Sequence, residues 1–266
     1  MILFGQLVVG APGSGKTTYC GGLIQILQQL ERPIVYVNLD PANDILPCPC
    51  DLNIRDLITV EDAMQRLGLG PNGALRYCMK TLAENFDWLR QGIQSKEGYL
   101  IIDMPGQLEL YNSDDSITKI TRQLQAADCR LCAVHLSDSM YCSDAGKFVA
   151  VILSALSIMI NLELPQVNVL SKADLLPSDL PYDADYFREL PDLNHLTNLL
   201  DDHPVLAKYK ALCSKLCEVA DEYNYVNFRL LDVSSKEKMV DLLQAADKSN
   251  GFAFYDVDDL REILSK

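Results

Sequence analysis

Short runs of branched and aromatic apolar residues alternate with longer stretches in which apolar positions recur every three or four residues. Leu3–Val9 reads as a strand, followed by a glycine-rich turn and a helical stretch to about Leu30. Pro33–Leu39 and Gly98–Ile102 read as further strands, as do Leu131–Leu136, Val167–Leu170 and a last run near Val226–Leu231. The clearest helical pattern is Ala74–Ser95, where Leu75, Met79, Leu82, Phe86, Leu89 and Ile93 follow steps of 4, 3, 4, 3 and 4. That spacing draws one continuous apolar stripe down a helix. The run from Phe148 to Leu164 is broken by Ser154, Ser157, Asn161 and Glu163, so it reads as a buried helix rather than a membrane span. Strands alternating with helices imply βαβ units. The predicted fold class is α/β: a three-layer architecture with a mainly parallel central sheet flanked by helices, plus helical insertions. One domain is expected across residues 1–266, with an insertion at about 43–98 and a second, acidic one at about 177–204. Pro177–Pro204 carries seven acidic residues against one arginine.

Composition narrows the function classes. The chain has 266 residues, 48% of them apolar, and its mean hydropathy is +0.03. Such a chain can bury a large core, which excludes global disorder. Its 23 basic and 37 acidic residues give a net charge of −14. A surface that acidic repels phosphate backbones and anionic lipids, so neither direct nucleic-acid binding nor membrane association is expected. Any phosphate ligand must therefore sit in a local electropositive pocket. The apolar start Met1-Ile2-Leu3-Phe4 lacks the positive flank of a signal peptide. Nine cysteines, an odd count, point to free thiols in a reducing compartment. Cys48/Cys50, Cys129/Cys132 and Cys213/Cys217 invite a zinc reading, but no histidine is spaced to complete a site, so structural zinc is disfavoured.

The chemistry concentrates at the predicted strand ends. Gly10-Ala11-Pro12-Gly13-Ser14-Gly15-Lys16-Thr17 fits G-x-x-x-x-G-K-[ST] between a strand and a helix, which makes the expected three-layer α/β fold that of a P-loop NTPase. Backbone N–H groups of Gly13, Ser14, Gly15, Lys16, Thr17 and the following Thr18 would cradle phosphate at the positive end of that helix. Lys16 supplies a charge for the β- and γ-phosphates, and the Thr17 hydroxyl is a candidate Mg²⁺ ligand. Tyr99–Asp103 is an apolar run ending in a carboxylate, followed by Met104-Pro105-Gly106-Gln107. Asp103 is the candidate second metal ligand, directly or through water. The Gly106 N–H is placed to bond the γ-phosphate, and Gln107 to orient an attacking water. Asp40, in Asn38-Leu39-Asp40-Pro41-Ala42, ends another strand. It is a candidate for holding that water or for the metal's outer shell, against the plainer reading of an Asp-Pro turn.

A base site is expected at Ser171-Lys172-Ala173-Asp174, after the fifth strand. The Asp174 carboxylate can accept both N1–H and the exocyclic amine of guanine, a pairing adenine cannot offer. The Lys172 stem can cover the ring. The usual guanine motif begins with Asn, and Ser171 is shorter. Ser234, beside Ser235 after the last strand, is a candidate cap for the base, and a helix N-cap is the equal alternative. Gly70-Pro71-Asn72-Gly73 is by default a turn into the helix that follows.

Gly10–Thr17, Asp40-Pro41-Ala42, Gly70-Pro71-Asn72, Asp103–Gln107 and Ser171–Asp174 occur in the order and spacing of the GPN-loop GTPases, and the chain resembles that family over nearly its whole length. Leu69–Gly73, Tyr77-Cys78-Met79, Asp87–Arg90 and Ala133–Leu136 look most like the second eukaryotic paralogue group. The resemblance implies a Mg²⁺-dependent GTP/GDP switch working as a dimer, a homodimer or a heterodimer with a GPN-loop paralogue. In it, Asn72 of one subunit would reach the phosphates of the other, and Asp40 and Gln107 would orient water. It further implies a cytoplasmic protein shuttling to the nucleus, and partners among RNA polymerase II and III subunits or their assembly factors. The Ser171 variant is normal for that paralogue group. Two rival readings remain at this stage: a P-loop kinase, for which the arginines are sparse, and a non-hydrolysing or slowly hydrolysing nucleotide-bound scaffold.

Overall fold

Eight consecutive buried residues, Leu3–Gly10, form strand β1 at the heart of the fold. A run buried at every position, and apolar but for Gln6, belongs to a strand covered on both faces. The computed structural model describes residues 2–112, 114–176, 193, 209–223 and 227–254. Around β1 stand β2 (Ile34–Asn38), β3 (Leu52–Asn53), β4 (Tyr99–Asp103), β5 (Cys129–Asp138), β6 (Gln166–Ser171) and β7 (Phe228–Leu230). The order across the sheet is β3-β2-β4-β1-β5-β6-β7, and every described pairing is parallel. The registers Asn38↔Asp103, Val8↔Asp103, Gly10↔Leu136 and Asp138↔Ser171 bring the carboxyl ends of five strands to one edge. In an open parallel sheet that edge is where ligands bind.

Two helical layers close the faces. On one side α1 (Lys16–Gln29) and the last described helix pack Tyr19, Leu23 and Leu27 with Met239, Leu243 and Ala246 against the sheet. On the other, α2 (Val60–Leu67), α3 (Pro71–Glu84) and α4 (Phe86–Gln94) precede β4. The short α5 (Glu109–Asn112), α6 (Ser116–Ala126) and α7 (Ala145–Leu162) complete that layer, with Leu82, Leu89, Ile120 and Ile158 in its core. Then come α8 (Lys210–Tyr223) and the last described helix, α9 (Lys236–Asn250). The three-layer α/β architecture is therefore as the patterning predicts.

Four details differ from the sequence reading or extend it. The predicted helix Ala74–Ser95 is two helices, broken at Asn85 (φ −112°, ψ 36°), yet its whole apolar stripe is buried. The two-residue β3 adds a strand too short for periodicity to reveal. The 43–98 insertion folds into β3, α2, α3 and α4. Helix α7 is long and apolar enough to cross a membrane by length and composition, but its Phe148, Ile152, Ala155 and Ile158 are buried in the core. Apart from the buried Leu193, the acidic segment 177–204 lies outside the described residues.

Candidate functional site

The turn leaving β1 is built by glycine geometry. Gly13 (φ +76°) and Gly15 (φ +87°) occupy the left-handed region, which side-chain-bearing residues avoid. Gly15 is also the N-cap of α1, whose first turn holds no acidic residue, so its positive end is open to an anion. Lys16 is 8% exposed, and its Nζ donates to the carbonyls of Gly10 (3.0 Å) and Ala11 (3.2 Å). Burial holds its pKa below the ordinary lysine value, against the opposing pull of Asp103 and Asp40.

Asp103 ends β4 with no exposed surface. Thr17 Oγ1 donates to its Oδ2 at 2.8 Å, while Oδ1 is buried with no hydrogen-bond partner among the described residues. Burial raises its pKa to about 6, although the Thr17 bond and Lys16 favour the charged form. An orphaned carboxylate oxygen beside a hydroxyl is a hard, oxygen-only donor set, which suits Mg²⁺. Among the described residues no cluster of three or more His, Cys, Asp or Glu is arranged to hold a metal. A cation here would draw its remaining ligands from water and substrate phosphates, the usual habit of Mg²⁺. All nine cysteines are free thiols.

Asp40 faces the same space. Its Oδ1 accepts the Ala42 N–H (3.0 Å), and burial raises its pKa against that bond and Lys16. Gly106 presses on the phosphate loop: a Cβ there would lie 2.8 Å from Lys16 Nζ and 3.1 Å from Pro12 Cα. Together Gly13, Lys16, Thr17, Asp40, Gly106 and Gln107 line a cleft of about 460 Å³, which Thr18 and Lys172 also border.

The base motif is tied to the phosphate loop. Ser171 Oγ lies 2.7 Å from the Ser14 carbonyl and 3.1 Å from that of Ser137, so one hydroxyl spans β6, β5 and the loop. Lys172 adopts a left-handed backbone (φ 57°) and its Nζ pairs with Asp138 Oδ2 at 2.6 Å. Asp174 is exposed in the short turn Ala173–Leu175. Ser234 is exposed and donates to Asp232 Oδ1 (2.6 Å), whereas Ser235 is the N-cap of α9. Asn72 is exposed in the first turn of α3 and does not line the cleft, although Leu75, one turn on, does. The phosphate and metal candidates thus converge in one chain, while Asn72, Asp174 and Ser234 stand outside the cleft.

Some participants carry no motif. Asn43 Nδ2 donates to Thr17 Oγ1 (3.0 Å) and approaches Asp103 Oδ2 (3.5 Å). Asn38 braces the backbone of Asp40 through both ends of its amide. A second cavity of about 320 Å³ lies beside the loop, between Pro12, Leu108, His135 and Lys147. His135 is buried there; burial lowers its pKa to about 4, and its Nδ1 has no partner among the described residues. The only signal for Asn43 in the sequence was its place three residues beyond Asp40.

Comparison with known proteins follows the same lines. Residues 8–252 match a family profile described as a conserved hypothetical ATP binding protein. GPN-loop GTPase QQT1 of Arabidopsis thaliana is 45% identical over 262 residues, 97% of this chain and 88% of that protein. GPN-loop GTPase 2 of Danio rerio is 45% identical over 259 residues, 96% of this chain and 83% of its own. Among solved structures, a GTPase in apo form from Pyrococcus abyssi superposes with a TM-score of 0.75 at 27% identity, covering 94% of this chain and 97% of that one. The profile's description names ATP, whereas these three relatives are each named as GTPases.

Proposed function

The chain belongs to the GPN-loop GTPase family and is a GTP-hydrolysing P-loop NTPase, and from that premise we propose a dimeric, Mg²⁺-dependent nucleotide switch. Membership sets aside the kinase and non-hydrolysing readings. The observation that carries the switch is Gly106 packed against Pro12 and Lys16, directly after Asp103 and beside Gln107. A segment so close to the loop registers whether a γ-phosphate is present.

In this reading Lys16 exchanges its carbonyl contacts at Gly10 and Ala11 for β- and γ-phosphate oxygens. Thr17 and Asp103 would hold Mg²⁺, which would neutralise phosphate charge when bound. Asp40 and Gln107 orient a water whose oxygen bonds to the γ-phosphorus as the bond to the β-phosphate bridging oxygen breaks, leaving GDP and phosphate. Burial makes Asp40 a better proton acceptor than a solvated aspartate. Asp174 reads guanine, with Ser171 keeping the base motif in register with the phosphate loop. Asn72 acts in trans, on the nucleotide of a second protomer. Its exposure at the start of α3, outside its own chain's cleft, supports that assignment.

The test is complementation. Lys16→Ala and Asn72→Ala, each poorly active alone, recover about half of the sites' activity when assembled into mixed dimers, because one intact composite site is then restored. No recovery in a demonstrably mixed dimer refutes the shared site. The client role rests on the family resemblance: assembly and nuclear import of RNA polymerase II and III, from a cytoplasmic pool. Capture from cell extract with the protein held in GTP-analogue and GDP states, followed by identification of the bound proteins, tests it. State-dependent recovery of polymerase subunits or assembly factors supports the role, and equal or absent recovery opposes it.

A further inference from the structure

Asp40-Pro41-Ala42-Asn43 is a closed turn. The Asn43 N–H donates to the Asp40 carbonyl (3.2 Å), and Ala42 N–H to Asp40 Oδ1 (3.0 Å). The Asn38 amide that braces Asp40 also donates to Asn53 Oδ1 (3.1 Å), anchoring the turn to β3. The last side chain of the turn therefore has a fixed origin, and it reaches across to the pair Thr17 and Asp103.

Hydrogen-bond arithmetic defines what it does there. A threonine hydroxyl has one hydrogen and two lone pairs. The Thr17 hydrogen goes to Asp103 Oδ2 (2.8 Å), and one lone pair accepts the Asn43 amide (3.0 Å). Asn43 Nδ2 also approaches Asp103 Oδ2 at 3.5 Å, so the amide orientation is set by acceptors on that side. An amide –NH₂ donates and does not ligate cations. It covers the oxygens that a hard cation needs, in a site whose other carboxylate oxygen already lacks a partner among the described residues.

We propose that Asn43 is a gate on the divalent-cation site: its amide substitutes for the cation on Thr17 and Asp103, and must be displaced before the cation binds. The proposal rests on the assignment of Thr17 and Asp103 as the cation's protein ligands. Asn43 is a positioning residue, acting on the cation's ligands rather than on substrate.

The experiment titrates Mg²⁺ into protein loaded with a fluorescent GDP analogue and reads cation affinity, with no turnover required. Asn43→Ala removes a competing donor and tightens Mg²⁺ binding about 2- to 10-fold, the equivalent of one hydrogen bond. Asn43→Asp places an acceptor where the donor stood and also tightens it, so either folded variant suffices. Unchanged or weakened affinity in either variant overturns the gate. Thr17→Ala and Asp103→Asn serve as controls and weaken Mg²⁺ binding. If they do so while the Asn43 variants fail to tighten it, the gate alone is wrong. If they leave affinity unchanged, the assignment of the ligands falls, and the gate with it.

Discussion

Asp103 and His135 are buried ionisable groups that desolvation drives in opposite directions. The Asp103 pKa is raised to about 6, so the neutral carboxyl is favoured in the fold, and its stabilising contribution is lost as pH rises through about 6. Asp103→Asn is therefore expected to melt above the wild type in EDTA near about pH 8, with the gap closing below about pH 5. Equal melting temperatures across that range would contradict the buried charge. The His135 pKa is lowered to about 4, so its contribution is lost as pH falls from about 6.5 towards 4. His135→Gln should show a shallower acid decline in melting temperature, and an unchanged slope would place the titration elsewhere. Residues with a motif were legible: Lys16 and Thr17 open α1 and Asp103 ends β4, where their spacing placed them. Asn43 was not, because a lone asparagine in a turn looks the same whether its amide meets solvent or a metal-ligand pair. Ser171 was legible as a departure from the Asn of the guanine motif. Its bonds to the Ser14 and Ser137 carbonyls need coordinates, since they join residues distant in the chain.

At the level of elements, periodicity reported burial better than continuity. The stripe from Leu75 to Ile93 is buried throughout, yet the helix breaks at Asn85, whose Nδ2 caps back onto the Thr81 carbonyl (2.8 Å). The break falls between Leu82 and Phe86, four residues apart, so an apolar pattern runs across it unaltered. Strand β3 was invisible because two residues hold no period. Strand β1 makes a sharper prediction. Gly5 pairs with Leu100 on β4, and a Cβ at Gly5 would lie 2.1 Å from the Leu100 carbonyl oxygen. Gly5→Ala must push the two central strands apart, costing about 1–3 kcal/mol in urea denaturation. A midpoint shift of zero would mean the strands are not in this contact.

Across the whole molecule, a buried polar network joins β1, α1 and β4 to α9. Arg32 Nη1 lies 3.0 Å from Asp247 Oδ2 on α9, and Tyr99 Oη donates to the other Asp247 oxygen at 2.7 Å. Gln6 on β1 and Asn250 on α9 donate to the same Tyr99 hydroxyl, and Tyr19 of α1 donates to Gln6. The Arg32 guanidinium also stacks over the rings of Tyr99 and Phe252. Truncating one member strands the others in a dry interior, so Asp247→Ala should cost about 3–5 kcal/mol of folding stability. Breaking the exposed Arg90–Asp87 pair with Asp87→Ala should change stability by less than about 1 kcal/mol in the same chemical denaturation. Comparable losses in the two variants would show that the network is not the tie it looks to be. The strand order has a consequence for biosynthesis. The first of the described strands in the chain is the central one, but its neighbours β4 and β5 begin only at Tyr99 and Cys129. At a ribosomal pace of about 5–20 residues per second, the greasy segment Leu3–Gly10 waits several seconds for either partner. Until then it is an exposed apolar stretch of nascent chain of the kind that a holding chaperone covers.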